Sequence, residues 1–336
     1  MGALSAWSTL RALNYDPDPI EAVDVVTERP PEVLLPGDTF TVLSWNLQFA
    51  GSRKHHFFYD GGEAVHVPLE DVLETTAAIR AALIDIDPDI ALLQEVDREA
   101  DRTGHRDQLH RYMGAGRWRC RASTPYHRCR YVPHPAGAHM GQVDLNLAVL
   151  SRFALEEAER VQLPKLKEPW LRQVFNLKRA LLHARIPVAG AAPIRVGNTH
   201  LSAFSHGDGT LAKQVAVLDR WMSRGERFVL AGDFNLLPPG DDAARLGEDG
   251  ALYADDRNPM EALLPARRDA FSPALLAEPA RTYLPFGAAE PDRKIDYVFV
   301  GEDIEVVEVK VFREYSELSD HLPVWVKLRV PGAASR

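Results

Sequence analysis

Six short segments of this 336-residue chain each set a carboxylate, an amide or an imidazole beside an apolar, strand-like run. They are SWNLQF (Ser44–Phe49), ALLQEVD (Ala91–Asp97), GNTHLS (Gly197–Ser202), LAGDFNLLP (Leu230–Pro238), KIDYVFV (Lys294–Val300) and LSDHLPV (Leu318–Val324). Such residues at strand ends suit the hydrolysis of a phosphate ester. The ester is anionic and repels an anionic nucleophile. The reaction therefore needs a cation on the phosphoryl oxygens, an oriented water and help for the leaving oxygen. Glu95 follows a run too apolar for a surface strand, which places its carboxylate at a strand end, and Asn46 follows its own run in the same way. Carboxylate and amide oxygens are hard donors that suit Mg²⁺ or Mn²⁺. Asp233 and Asn235 lie two apart, so alternation puts both on one face if the strand continues. His321, beside Asp320, can donate to a phosphoryl oxygen or act as a general acid, provided a partner fixes its tautomer. His200 closes another apolar run.

The elements that must position these groups are legible in outline. Apolar spacing predicts strands at Thr41–Trp45, Ile90–Leu93, Leu147–Leu150, Ala180–Ile186, Ile194–Val196, Phe228–Leu230 and Tyr297–Val300. It predicts helices at Leu69–Ile86, Leu211–Met222 and Met260–Leu264; in the first, Val72, Leu73, Thr76, Ile79, Leu83 and Ile86 share a face. Between the first strand and that helix, a loop from Gly51 to Val67 carries His55, His56, His66, Phe57, Phe58 and Tyr59. Its histidines lack metal-ligand spacing and read as loop residues; with the aromatics they could instead line a substrate pocket. Leu4, Trp7, Leu10 and Leu13 suggest a short amphipathic helix, followed by breakers at Asp16-Pro17-Asp18-Pro19. The division expected is an N-terminal extension at residues 1–38, one catalytic domain at 39–330, since the segments must converge, and a tail at 331–336. Strands mixed with helices give an α/β or α+β class.

Composition narrows the function classes. With 46% hydrophobic and 26% charged residues the chain reads as globular. A net charge of −9 argues against general nucleic-acid binding, which leaves a basic footprint. Cys120 and Cys129 are too few for a disulfide framework and are expected as free thiols in a reducing compartment. No apolar run approaches a membrane span, and MGALSAWSTLRAL is a poor signal peptide, so a cytoplasmic location is expected.

Taken together and in this order, the six segments resemble the endonuclease/exonuclease/phosphatase superfamily over roughly Thr41 to Arg329. The resemblance implies a four-layer sandwich, with two mainly antiparallel β-sheets flanked by helices. It implies Glu95 as principal metal ligand, Asn46 and Asp320 near that metal, and Mg²⁺ or Mn²⁺ as cofactor. It makes Asp233 the water-orienting base, Asn235 its polar partner, Asp296 the partner of His321, and His200 a hydrogen-bond donor to the phosphate. None of these positions is substituted, which argues against a non-catalytic binding protein of the same fold. Gln48 and the pair Val96-Asp97 depart from the abasic-site endonuclease pattern.

Two basic groups could grip an anionic substrate or simply be solvated faces. Arg117, Arg119 and Arg121 alternate, with Arg128 and Arg130 beyond; Lys165, Lys167, Arg172, Lys178 and Arg179 form the second group. Arg179 is the member expected at the substrate. The expected activity is divalent-metal-dependent hydrolysis of a phosphodiester (a small molecule, a lipid head group or nucleic acid), with a DNA or RNA nuclease as the alternative.

Overall fold

The computed structural model describes residues 14–204, 207–225, 227–253 and 257–332. The helix expected around Leu4–Leu13 lies outside the described residues. Two mixed sheets form the body. The seven-stranded sheet has the order β12 (Glu305–Val311), β13 (Val324–Arg329), β3 (Thr39–Asn46), β4 (Ile90–Asp97), β6 (Gly141–Ser151), β5 (Cys120–Val132), β2 (Val25–Thr27). The six-stranded sheet has the order β1 (Ile20–Ala22), β7 (Glu156–Gln162), β8 (Ala180–Val188), β9 (Ala191–His200), β10 (Arg227–Asp233), β11 (Asp296–Val300). Each sheet contains one parallel pair, β3–β4 and β9–β10, and is otherwise antiparallel.

A period of two on each strand explains the layering. On β3, Phe40 and Val42 face the second sheet, while Leu43 and Trp45 face outwards. The inner residues meet Leu182, Ala184, Ile194, Val196, Val229 and Val298 in one core between the sheets. The outer face of the seven-stranded sheet is covered by α1 (Leu69–Ile86) and α2 (Gln108–Met113), through Ile79, Leu83, Leu109 and Tyr112. The outer face of the other sheet packs against α4 (Thr210–Met222) and α5 (Met260–Ala266), through Leu211, Leu218, Trp221 and Met260. A further short helix, α3 (Trp170–Phe175), lies in the β7–β8 connection. The four-layer sandwich is thus the observed architecture. Among the described residues no helix is long and apolar enough to cross a membrane.

α1 keeps its expected bounds because Pro68 opens it, Glu70 and Asp71 favour its N-terminus, and Asp87 ends it in a left-handed conformation. Its buried face is Val72, Thr75, Thr76, Ile79, Ala82 and Leu83. Leu73, expected on that face, is 43% exposed; the buried stripe lies one position further round the helix. Residues 20–27 give one short edge strand to each sheet: Ile20–Ala22 pairs with β7, and Val25–Thr27 with β5.

Candidate active site

α1 links β3 to β4 and α4 links β9 to β10, so each parallel pair is a strand–helix–strand unit with both carboxyl ends on one side. Crevices outside such ends are where α/β sheets bind ligands. Register brings the expected groups together there. Asn46 pairs with Gln94, the neighbour of Glu95, and Asp233 pairs with both His200 and Asp296. Beneath them a buried amide bridge ties the sheets. Gln94 Nε2 donates to Asn198 Oδ1 at 2.7 Å, and Asn198 Nδ2 donates to the carbonyls of Leu93 and Ala148 at 2.9 Å each. Both amides lie inside the sequence segments, yet residue type alone gave them no role.

Asp233 is the centre of the cluster. Its Oδ2 faces Asn46 Nδ2 at 3.0 Å, His200 Nε2 at 3.2 Å and His321 Nε2 at 3.5 Å. Its Oδ1 accepts from the Asn235 backbone N–H at 2.9 Å. β10 does not continue past Asp233: Asn235 has φ 52°, so a turn, and not strand alternation, brings the two together. Gly232 makes the tight ending possible, since at φ 149° an added Cβ would lie 1.9 Å from the Thr199 carbonyl oxygen.

His321 bridges two carboxylates, with Nδ1 2.9 Å from Asp296 Oδ2 and Nε2 towards Asp233. Burial alone would lower its pKa, but the charges of Asp296, Asp233 and Asp320 prevail and hold it well above the usual histidine range. The protonated ring is thereby favoured, with Nδ1 hydrogen-bonded to Asp296 and Nε2 within ion-pair distance of Asp233. His200 behaves oppositely: burial, with the charges of Arg179 and His321, holds it well below that range. Its Nδ1 lies 3.1 Å from the Tyr126 hydroxyl, and burial keeps that phenol protonated. Tyr126 then donates to Nδ1, leaving the His200 hydrogen on Nε2, where it faces Asp233.

Glu95 and Asp320 form a second pole. β4 slips register between Leu93 and Val96, and Glu95 there takes φ 56°. Burial raises the Glu95 carboxyl, against the nearby charges of Arg102 and Arg179. Burial likewise pushes Asp320 up to about 6, with His321 opposing and the Glu95 charge adding. Among the described residues no hydrogen bond reaches the Glu95 carboxylate; His200 Nδ1 lies 3.8 Å from its Oε1. Two electrostatically coupled carboxylates with hard oxygens, and no thiolate beside them, fit a Mg²⁺ or Mn²⁺ ion. Asn46 Oδ1 accepts from the Gln48 N–H at 3.0 Å and keeps a second lone pair. Asp233, Asp296 and His321 also place ligand atoms within 4.8 Å of one another. That trio is already joined by the His321–Asp296 hydrogen bond and the His321–Asp233 ion-pair contact, so it fits a proton-holding chain better than a cation.

Arg102, which sequence reasoning missed, grips Asp97 through Nε at 2.8 Å and Nη2 at 2.9 Å and lies 3.6 Å from the Phe49 ring centre. A buried Asp two residues beyond Glu95 was its only signal. Ser319 Oγ, also missed, donates to the Asn46 carbonyl at 2.7 Å and accepts from the His321 N–H at 3.2 Å.

Three depressions surround the cluster. One, of about 210 Å³, is lined by Arg179, Lys165, Phe204 and Ser202. A second, of about 170 Å³, is lined by Asn235, Tyr253 and Pro239, and Ala203 is common to both. A third adjoins Asp320. Arg179 lies 5.4 Å over the Tyr126 ring, and its buried Nη1 has no hydrogen-bond partner. The other basic groups lie elsewhere or are engaged. Arg121 sits opposite Leu150, which also pairs with Ala91, at the end of the sheet remote from Glu95. Arg117 is paired with Asp87 and Asp89, Arg121 with Glu28 and Arg128 with Asp144. Lys178 donates to the carbonyls of Gln173 and Asn176. Phe57, one of the loop aromatics that could line a pocket, is instead 2% exposed and part of the core.

A sequence model described as the Endonuclease/Exonuclease/phosphatase family matches residues 43–321. No curated protein matches the sequence. Among solved structures, an endonuclease/exonuclease/phosphatase from Beutenbergia cavernae is 24% identical with a TM-score of 0.62, over 89% of this chain and 73% of that one. The human Nocturnin catalytic domain with bound sulfate is 16% identical with a TM-score of 0.55, over 91% and 96%. A humanized D. rerio TDP2 is 14% identical with a TM-score of 0.53, over 87% and 99%. At these identities the likeness is one of fold.

Proposed function

The chain belongs to the endonuclease/exonuclease/phosphatase family, and from that premise we propose that it is a divalent-cation-dependent hydrolase of a phosphodiester. The observation that carries this reading is the Asp296–His321–Asp233 chain, a buried imidazole held between two buried carboxylates. In the proposed reaction Asp233 orients the attacking water and takes its proton. Asn46 and Asn235 fix the carboxylate by their hydrogen bonds, and His200 Nε2 flanks it at 3.2 Å. His321, kept protonated by Asp296, donates from Nε2 to a phosphoryl oxygen, while His200, Asn235 and Arg179 bind the phosphate. Glu95, Asp320 and Asn46 would hold Mg²⁺ or Mn²⁺, which when bound neutralises charge on the phosphoryl oxygens.

A diester is favoured over a monoester because Asp233, Asp296, Glu95 and Asp320 surround the position. A singly charged ester meets less repulsion there than a dianion. The depressions that meet at Ala203 offer room for an arm of the ester, and a shallow one of about 10 Å³ adjoins Asp320. Two buried free thiols, Cys120 and Cys129, support a reducing, cytoplasmic setting. The test is turnover of bis(4-nitrophenyl) phosphate against 4-nitrophenyl phosphate, with and without Mg²⁺ or Mn²⁺. Cation-dependent hydrolysis of the diester, lost in Asp233→Asn, is expected; equal turnover without a divalent cation would overturn the reading.

A further inference from the structure

Beside Asp320 the chain displays an aromatic face that the proposed chemistry does not use. Phe286 stands on a tight turn, Pro285-Phe286-Gly287-Ala288, closed by the Ala288 N–H on the Pro285 carbonyl at 3.0 Å, with Gly287 at φ 76°. Arg53 pins that turn from the opposite loop, donating through Nη2 to the carbonyls of Pro285 at 3.0 Å and Ala288 at 2.8 Å. The stem of the turn is fastened to the active-site segment before β13: the Leu284 N–H donates to the Asp320 carbonyl at 2.8 Å, and Tyr283 bridges to His321. His56 stacks on Phe286, with centroids 4.2 Å apart and rings 1° from parallel. Gly62 lets its loop fold against the His56 backbone, since an added Cβ would lie 2.1 Å from the His56 carbonyl oxygen. Phe286 is nonetheless 43% exposed.

An exposed phenyl ring, backed by a second ring and held from two sides, is a prepared flat surface. The recess it borders is polar at its rim, through Gln48, Arg53, Asp60 and Asp320. At about 10 Å³ that recess is too shallow to bury an acyl chain, whereas a heteroaromatic ring can lie on the exposed phenyl face and turn its hydrogen-bonding edge to the polar groups. We propose that the Phe286–His56 stack seats a nucleobase on one arm of the diester, so that the substrate is a small nucleoside phosphodiester. This rests on the phosphodiesterase reading above and specifies its substrate class.

The experiment compares thymidine 5′-(4-nitrophenyl phosphate) with methyl 4-nitrophenyl phosphate, which share a leaving group and differ only in the arm that stays. Base–aromatic stacking is worth about 5- to 150-fold in affinity. The native protein should therefore favour the thymidine ester in kcat/KM by at least about fivefold, mainly through KM. Phe286→Ala, and Phe286→Leu, which keeps bulk but loses the flat face, should bring the ratio near one. Calorimetric binding of thymidine 5′-methylphosphate against dimethyl phosphate is measured in parallel. A base preference in binding that depends on Phe286, without turnover of either ester, would sustain this inference and defeat the hydrolase reading. No preference in the native protein, or one that survives both substitutions, would overturn the inference whatever the turnover.

Discussion

The parallel pairs β3–β4 and β9–β10 are built alike and finish differently. Each is a strand–helix–strand unit, and each delivers an acidic residue where regular pairing breaks, Glu95 at the register slip and Asp233 at the last residue of its strand. Local departures of this kind gather at functional sites because they re-aim a side chain. Around Asp233 the surroundings supply hydrogen bonds from Asn46 and the Asn235 backbone and ion-pair contacts from His200 and His321. Around Glu95, among the described residues, they supply no hydrogen bond. Two strand ends thus yield one carboxylate fixed by the protein and another without a hydrogen bond, to which the proposed function gives the cation, and the difference lies in the neighbours rather than in the strand ends.

The comparison breaks most completely if the cation is dispensable. Chelation with EDTA should take the rate to background and Mg²⁺ or Mn²⁺ should restore it; a verified metal-free sample with full turnover would remove the distinction between the two poles. Next comes Asp233→Asn, which keeps the shape but not the base. Its kcat should fall by roughly two to four orders of magnitude. The Mg²⁺ concentration giving half the maximal rate should stay close to native, whereas Glu95→Gln should raise it at least about tenfold. A Mg²⁺ titration of both variants shows whether the two roles separate.

The pH profile sharpens the Asp233 pole. Asp296 helps hold His321 protonated, so the native rate should persist to pH values above the ordinary histidine range before it declines. Asp296→Asn removes that attraction while burial remains, so the His321 pKa falls and the alkaline limb of kcat must move to lower pH. An unmoved limb would mean that another group sets it. The smallest effect expected is that of Tyr126→Phe. It removes the donor that fixes the His200 tautomer, at about one hydrogen bond's worth, roughly fivefold in kcat/KM, with a thermal midpoint near the native value.

Much of this asymmetry was hidden in the sequence. The strand ends were readable because apolar runs stop at Asn46, Glu95, His200 and Asp233. The runs came out short where a strand carries polar residues paired over long range. β6 extends back to Gly141 through Asp144 and Asn146, whose partners include Arg128 and the Val96 carbonyl. The two-sheet architecture followed from family resemblance; periodicity alone gives only strands and helices. Arg102 and Tyr126 stayed invisible because their partners, the Asp97 pair aside, are distant in the chain. Of the Arg117–Arg121 alternation only Arg121 lies in β5, since Arg117 is in the turn before it, and the place of Arg121 at the far end of the sheet depends on register, which one strand's sequence does not contain.

The short strands at residues 20–27 have a consequence for handling the protein. Between Ala22, opposite Glu159, and Val25, opposite Ala122, the chain crosses from one sheet to the other. A single peptide ribbon therefore seals part of the outermost edge of both. Uncovered edges invite pairing with other molecules. Clipping the ribbon by limited proteolysis, or trimming it from an expressed version, would bare β7 and β5 in one event, and the damage would show as self-association in light scattering before it showed as lost chemistry.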